Sequence, residues 1–345
     1  MEYTLLHGAL KNVGDFLIYE RAKALLRWAK PDVTFLELSR YESLEPYLDQ
    51  VNRTEAVILC GGPGYRENFY PGVFALTEDL RKIKPPIVPF GLGWSGYPAG
   101  HPERFHFSES SLQALRFIHR RIPASSCRDV LTEEVLHRHE VTNVTMTGCP
   151  AWYHLPHVGM EFVPPEQIRR VVVTTPRRLR LLPQAMVLLK EVRRLFPKAE
   201  RYCVFHRGLR KDRYTTLKKS VGMHMLWMVA KGLGFSTINA AYDLSKIDFY
   251  QNCDLHIGYR VHAQIDFLSY RKPSLLLCED GRGEGLSRTL GMGDIRAWDN
   301  PRAIEQTIAR LQGDMERGFS RFHGIIRRMN ETFERAMVPF LERLP

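Results

Sequence analysis

None of the six cysteines (Cys60, Cys127, Cys149, Cys203, Cys253 and Cys278) stands in a CxxC pair, which excludes a zinc ribbon and a thioredoxin-type redox motif. Several lie in or beside apolar runs, the setting of buried thiols in a reducing compartment. Nowhere does the chain run for the ~20 apolar residues that cross a bilayer. The opening residues MEYTLLHGALKNVGD lack a basic start followed by an apolar run. They do not read as a signal peptide, and a cytoplasmic protein is expected. No HExxH occurs, and His154 and His157, which flank Pro156, lack a third ligand, so no metal site is expected. No basic-aromatic module of nucleic-acid binders appears, and no internal repeat or low-complexity tract.

What the sequence does have is length and positive charge. Its 345 residues suffice for two domains. The formal net charge is +11, from 49 Lys plus Arg against 38 Asp plus Glu. A basic protein implies an anionic partner, here a phosphorylated substrate or an anionic lipid surface. The positive residues are spread out as pairs such as Arg120-Arg121, Arg177-Arg178 and Lys218-Lys219, which argues against nucleic acid.

Strands and helices alternate along the first half. Strands are expected at Tyr3 to His7, Thr34 to Leu38, Ala56 to Cys60, Pro86 to Phe90, Ala124 to Arg128 and Val144 to Thr147. Helices are expected between them, including Phe16 to Trp28, Gly72 to Lys82, and Thr132 to Arg138 with Thr132 as its cap. The stretch AWYHLPHVGMEFVPP breaks the pattern and reads as a linker. A second alternation follows, with strands at Arg170 to Thr175, Arg201 to Phe205, and in the segment from Asp254 to Gly291. The expected fold class is α/β, with two doubly wound Rossmann-like domains facing across a cleft, in the manner of glycosyltransferase-B enzymes. The expected boundaries are 1–150, a linker at 151–165, 166–300, and a helical segment 301–345 that returns to the first domain. From Gly324 to Leu344, arginines lie on one side and Ile325, Ile326, Met329, Phe333, Met337 and Phe340 on the other. That helix either packs across both domains, the expected outcome, or touches an anionic membrane.

The candidate site residues fall in loops after strands, which in an open parallel sheet lie at the ligand-binding edge. Asn12, Gly14 and Asp15 open the first helix, and can bind a ligand or merely cap. Gly61, Gly62 and Gly64 form a turn, GGPGY, which is neither a P-loop nor a GxGxxG fingerprint. Gly91 and Gly93 repeat the theme, with Trp94 either placed to stack on a sugar or buried between domains. Arg128 can enter the cleft or pair with Asp129. His206 opens the basic loop HRGLRKDR. Gly258, Arg260 and His262 follow one strand, and Asp280 and Arg282 the next. Arg grips a carboxylate or phosphate with forked donors, and His moves a proton near neutral pH. The alternative for both is a structural role at a helix N-terminus.

The ordered set N-V-G-D (Asn12 to Asp15), the glycine turns, C-R-D (Cys127 to Asp129), T-G-C-P (Thr147 to Pro150), G-Y-R-V-H-A (Gly258 to Ala263), Lys272-Pro273 and the D-G-R loop resembles the polysaccharide pyruvyl transferase family. The chain departs from the family pattern at Cys149, where an acidic residue is usual, and at Pro63, often glycine. The resemblance implies a glycosyltransferase-B-like fold. It also implies transfer of the pyruvyl group of phosphoenolpyruvate to two hydroxyls of a sugar, giving a cyclic ketal in cell-surface or exopolysaccharide synthesis. The acceptor would be a glycan, often carried on a lipid pyrophosphate, and no cofactor would be needed. Arg128, Arg260 and His262 would carry the chemistry. Two other readings are a transferase using a nucleotide sugar, with Glu279, Asp280 or Glu284 on the ribose, and a non-catalytic binder of anionic glycans or lipid head groups.

Overall fold

The computed structural model describes residues 1–96, 101–293 and 295–345. Among the described residues twelve strands form two parallel assemblies. In the first, β1 (Glu2–His7), β2 (Thr34–Ser39), β3 (Ala56–Cys60) and β4 (Ile87–Phe90) take the order β2-β1-β3-β4. A parallel pair, β5 (Ser125–Cys127) and β6 (Val144–Met146), continues that sheet through a bridge between Leu92 and Cys127. In the second, β7 (Arg170–Thr174), β8 (Glu200–Phe205), β9 (Ser236–Asn239), β10 (Leu255–Gly258), β11 (Ser274–Cys278) and β12 (Ile295–Arg296) take the order β12-β11-β10-β7-β8-β9. These are the two doubly wound orders, with topological switch points between β1 and β3 and between β7 and β10.

The sequence explains the layers. All five residues of β3 (AVILC) and of β11 (SLLLC) are buried, the continuous apolar run of a parallel strand covered on both faces. The helix Val13–Ala29 buries Leu17, Ile18, Ala22, Leu25 and Leu26 at helical spacing against the first sheet.

Two local expectations fail. Gly72 to Lys82 is no helix but an irregular turn, Phe69–Val73, and one turn of 3-10 helix, Leu80–Lys82. Between them Leu76 is buried at φ +46, the Thr77 hydroxyl donates to the Asp79 carbonyl (2.9 Å), and Asp79 accepts from the Arg81 amide. These local bonds and the left-handed residue interrupt a helical ladder. The helix expected from Thr132 starts at Val130, and its cap is Asp129, whose Oδ1 accepts the Thr132 amide at 2.8 Å.

The C-terminal helices cross back to the first sheet. Phe340 stacks on Phe90 with ring centroids 5.6 Å apart, Phe333 meets Trp28 at 5.5 Å, and the Tyr3 hydroxyl donates to the Pro345 carbonyl. Phe322, Ile325, Ile326, Met329, Phe333, Met337, Phe340 and Leu341 are all buried. The apolar stripe considered for a membrane is therefore used up inside the fold.

The two sheets meet along a tight seam. The Val13 amide donates to the His206 carbonyl (3.1 Å), the Tyr242 amide to Lys11 (2.9 Å), and the Gly281 amide to Gly96 (3.0 Å). Lys11 forms an ion pair with Asp212 and donates to Thr215 at 2.6 Å.

Candidate functional site: an arginine-lined cleft

At the β7/β10 switch point the chain leaves β10 through Gly258. A Cβ there would lie 2.5 Å from Thr174 Oγ1 and 2.6 Å from the Thr174 carbonyl oxygen. Only glycine lets the two strands approach so closely, and the following residues are thereby aimed over the sheet edge. The Arg260 amide bonds Thr174 Oγ1 (3.2 Å), and its Nη2 donates to the Pro176 carbonyl (3.3 Å). Its Nε is buried and has no partner among the described residues.

His262 lies in the first turn of the helix Val261–Ser269 and is 6% exposed. Its ring packs on the α-carbon of Gly14, in the first turn of the helix Val13–Ala29 across the seam, where an added Cβ would lie 2.6 Å from His262 Cβ and closer still to the ring. Burial lowers the His262 pKa to about 4; Asp15 opposes the shift, and Arg282, Arg128 and Arg260 add to it. The imidazole is therefore neutral at neutral pH, set between one carboxylate and three guanidinium groups.

Arg128 comes from the first domain and is 1% exposed. Its Nε donates to Asp129 Oδ2 and its Nη2 to the Trp94 carbonyl, both at 3.0 Å. Nη1 is buried without a partner among the described residues. Gly93 makes room for this guanidinium, since a Cβ there would lie 2.5 Å from Arg128 Nε. One edge of Arg128 thus pairs with Asp129, and one nitrogen is left over.

Asp280 caps the helix Gly281–Leu290 and grips Arg282 with both oxygens, at 2.8 and 2.7 Å. Burial lowers the Arg282 pKa, but the Asp280, Glu279 and Asp15 carboxylates together outweigh it and raise the value. Arg282, Arg66, Arg177 and Lys219 line a cavity of about 650 Å³ with Pro63, Ser95 and Asp280. A small recess beside it is bounded by Arg177, Arg207, Lys219 and Arg260. The crowding is visible in proton affinities. Burial, then Glu279 in opposition, then Arg207, Arg177 and Arg282 bring Arg260 down to about 10. Burial and Arg282 lower Arg177, and burial and Arg40 lower Arg66.

Arg40, Arg66, Arg177, Arg207 and Lys219 were not among the sequence candidates. All but Lys219 share a signal: each is an arginine soon after the carboxyl end of a parallel strand, β2, β3, β7 and β8 in turn.

The remaining candidates spread around this cleft. Asn12 and Asp15 line a second cavity of about 550 Å³ with Lys11, Tyr41, Arg207 and Arg213. Asn12 stands at the cap position without a capping bond, and its buried Oδ1 has no partner among the described residues. Gly61 and Gly62 turn the chain at φ +48 and +76, and the Gly93 amide donates to the Gly62 carbonyl (2.9 Å). Gly64 packs under Leu92 and Phe74, and Gly91 against Pro150.

Trp94 does not offer a stacking face. It is 3% exposed, edge-on to Phe105 and against Gly96 and Gly281, because the glycine-to-glycine seam closes over it. His206 is fully buried beneath the cleft, its Nε2 paired with the Tyr250 hydroxyl at 2.9 Å. It supports the seam through its carbonyl, and its side chain does not line the cleft. Cys149 is buried near Arg128, and burial raises it to about 11, so it remains a thiol at neutral pH.

A sequence profile described as polysaccharide pyruvyl transferase matches residues 12–277. No curated protein sequence matches significantly. Among solved structures, S. aureus MnaA with UDP superposes with a TM-score of 0.60 at 14% identity, over 96% of this chain and 93% of that one. UDP-GlcNAc 2-epimerase from Neisseria meningitidis gives 0.57 at 11%, over 99% and 100%. A glycosyltransferase from Rickettsia africae gives 0.53 at 10%, over 99% and 98%. At such identities the likeness establishes the fold, two Rossmann-like domains in the glycosyltransferase-B arrangement. The profile spans both domains and includes Arg128, Arg260 and His262, so this chain belongs to the polysaccharide pyruvyl transferase family and is a transferase.

Proposed function

We propose that the enzyme transfers the pyruvyl group of phosphoenolpyruvate to two hydroxyls of a glycan sugar, forming a cyclic ketal and releasing phosphate. One observation carries the reading. Two buried guanidinium groups, Arg128 from one domain and Arg260 from the other, each keep an N–H without a partner among the described residues, and both act on the charge of a neutral His262. Buried unsatisfied donors are costly, and a small, multiply charged anion satisfies them.

Phosphoenolpyruvate carries a carboxylate and a phosphate. Arg260, Arg177, Arg282 and Arg128 would hold these two groups and orient the enol carbon. His262, neutral when free, takes the proton of the attacking sugar hydroxyl, and Asp15 stabilises the imidazolium that results. The enol carbon receives the hydroxyl oxygen, and the methylene carbon takes up one proton to become a methyl group, balanced by the one that His262 removes from the hydroxyl. The carbon–oxygen bond to phosphate then breaks, the second hydroxyl closes the ketal, and its proton leaves with phosphate. General acid–base help of this kind contributes roughly 10²–10⁴ in rate.

The nucleotide-sugar reading draws on the shared fold of proteins solved with UDP or UDP-GlcNAc. It needs a free carboxylate for the ribose. Glu279 accepts the Arg177 and Arg178 amides, Asp280 is bound to Arg282, and Glu284 is buried and pairs with Arg296.

The test is thermal stability of the pure protein with phosphoenolpyruvate and, separately, with nucleotide sugars. A shift with phosphoenolpyruvate that Arg260→Ala removes is expected. A shift with a nucleotide sugar alone would overturn the proposal.

A further inference from the structure

The helix Leu217–Gly232 is apolar on two opposite faces. Gly222, Met223, Leu226 and Ala230 are buried in the second domain. Leu217, Val221, Met225 and Met228 face outward, exposed by 61%, 53%, 50% and 58%. Steps of four, four and three residues set them in one stripe, about 17 Å long at the helical rise. Single exposed hydrophobics are ordinary, but four large ones in line are not. No residue of this helix is acidic, and Lys218 and Lys231 are exposed beside the stripe. Ser220 Oγ donates to the Leu209 carbonyl at 2.7 Å, which ties the loop bearing exposed Arg210, Lys211 and Arg213 to the first turn.

We propose that this face docks on an anionic membrane. The helix lies in the head-group plane, with the stripe in the apolar boundary and the basic side chains on lipid phosphates. Charge selects this occupant. A second copy of the chain would bring Lys218 and Lys231 against their own like charges, whereas an anionic bilayer complements them and the net charge of +11. No described helix is long and apolar enough to cross a membrane, so the helix rests on the surface. Lys219, two residues from the start of the stripe, lines the cleft with Arg177 and Arg282. At about 100° per residue its side chain leaves the helix on the side opposite the stripe, so the docked face and the cleft are separate surfaces.

The experiment is co-sedimentation with vesicles of phosphatidylcholine alone or mixed with phosphatidylglycerol. Binding to the anionic vesicles, weakened by salt, is expected. Lys218→Gln with Lys231→Gln should weaken it about thirtyfold, at roughly fivefold per basic residue near the surface. Val221→Asp with Met225→Asp should abolish it while leaving the phosphoenolpyruvate-dependent thermal shift as in wild type, since neither residue lines the cleft. Absence of vesicle binding by the wild type, equal binding by V221D/M225D, or equal binding to both lipid mixtures would overturn the proposal. Self-association that V221D/M225D abolishes, without vesicle binding, would hand the face to a second copy. Vesicle binding by a protein that phosphoenolpyruvate does not stabilise would retain docking and remove the donor assignment instead.

Discussion

Gly14→Ala tests the seam and the histidine together. The added Cβ would lie 2.6 Å from His262 Cβ, where ordinary contact begins at 3.4 Å, so something must move by at least about 0.8 Å. Rotating the imidazole does not relieve this, because Cβ does not move with χ1. The helices Val13–Ala29 and Val261–Ser269 must separate, carrying His262 away from Asp15 and Arg128 away from Arg260. Misplacement of about 1 Å can cost 10²-fold in rate. The expected loss in kcat is therefore about 10²-fold or more, with His262→Ala, at roughly 10²–10⁴, as the floor. The helical backbone at Gly14 accepts alanine, and overpacking costs about 1–3 kcal/mol, so the protein should still fold. Gly324 has nothing within 4 Å of an added Cβ, and Gly324→Ala is the matched control, expected to keep wild-type turnover. The assay is phosphate release from phosphoenolpyruvate with a panel of glycan acceptors, beside a melting curve. A folded Gly14→Ala enzyme within about threefold of wild type would refute the placement of His262 in the reaction.

Arg260→Lys should raise KM for phosphoenolpyruvate by about tenfold or more, because an ammonium cannot reproduce a forked guanidinium; unchanged donor kinetics would remove Arg260 from the donor site. With His262 as a base of pKa about 4, kcat/KM should be flat near neutrality and fall as pH drops through about 4, and a rise toward acid would make His262 the acid instead. Stability should also fall with acid. His256, fully buried between Thr174 and Ser274, is brought by burial to about 3, so from its unfolded value of 6.5 down to 3 the unfolded state binds more protons, and roughly 5 kcal/mol is lost across that window; a denaturation midpoint independent of pH there would contradict this. Arg177→Gln should raise the stability of the free protein by about 0.5–2 kcal/mol, as relief of crowding at a functional site does, while shrinking the phosphoenolpyruvate shift; a destabilised free protein would mean that Arg177 is structural.

The fold was legible because parallel strands covered on both faces must be continuously apolar. AVILC and RVVVT can be little else between helices of this length, and the rule that ligands bind at carboxyl edges brought Arg128, Arg260, His262 and Arg282 to one place. What was not legible depends on contacts between distant residues. Trp94 has the same neighbours in sequence whether it faces a sugar or Gly281. Thr132 is a good cap residue by type, but its hydroxyl is taken by the Trp94 amide at 2.8 Å, and Asp129 caps instead. The stripe of the last helices reads equally as core or membrane face until Phe90 is found beneath Phe340. The arginines Arg40, Arg66, Arg177 and Arg207 stand far apart in the sequence. Only the convergence of several strand ends makes them a group.

That convergence is also the strongest physical reason to regard the cleft as a site for an anion. Arginines with a structural task usually acquire a carboxylate. Arg128 has Asp129, Arg282 has Asp280, and Arg321 has Asp314. Among the described residues Arg66, Arg177, Arg207 and Arg260 form no ion pair, and neighbouring guanidinium groups add to burial in lowering the proton affinity of Arg66, Arg177 and Arg260. Unpaired like charges at the mouth of a partly buried cleft destabilise the free protein, and packing gains nothing from them. They become favourable only when a multiply charged ligand enters and neutralises several at once. The group is also divided between the domains: Arg66 and Arg128 belong to the first, Arg177, Arg207, Arg260 and Arg282 to the second. Neither half alone holds the constellation, so the glycine contacts of the seam, Gly14 on His262 and Gly96 on Gly281, are as much a part of the site as the arginines they bring together.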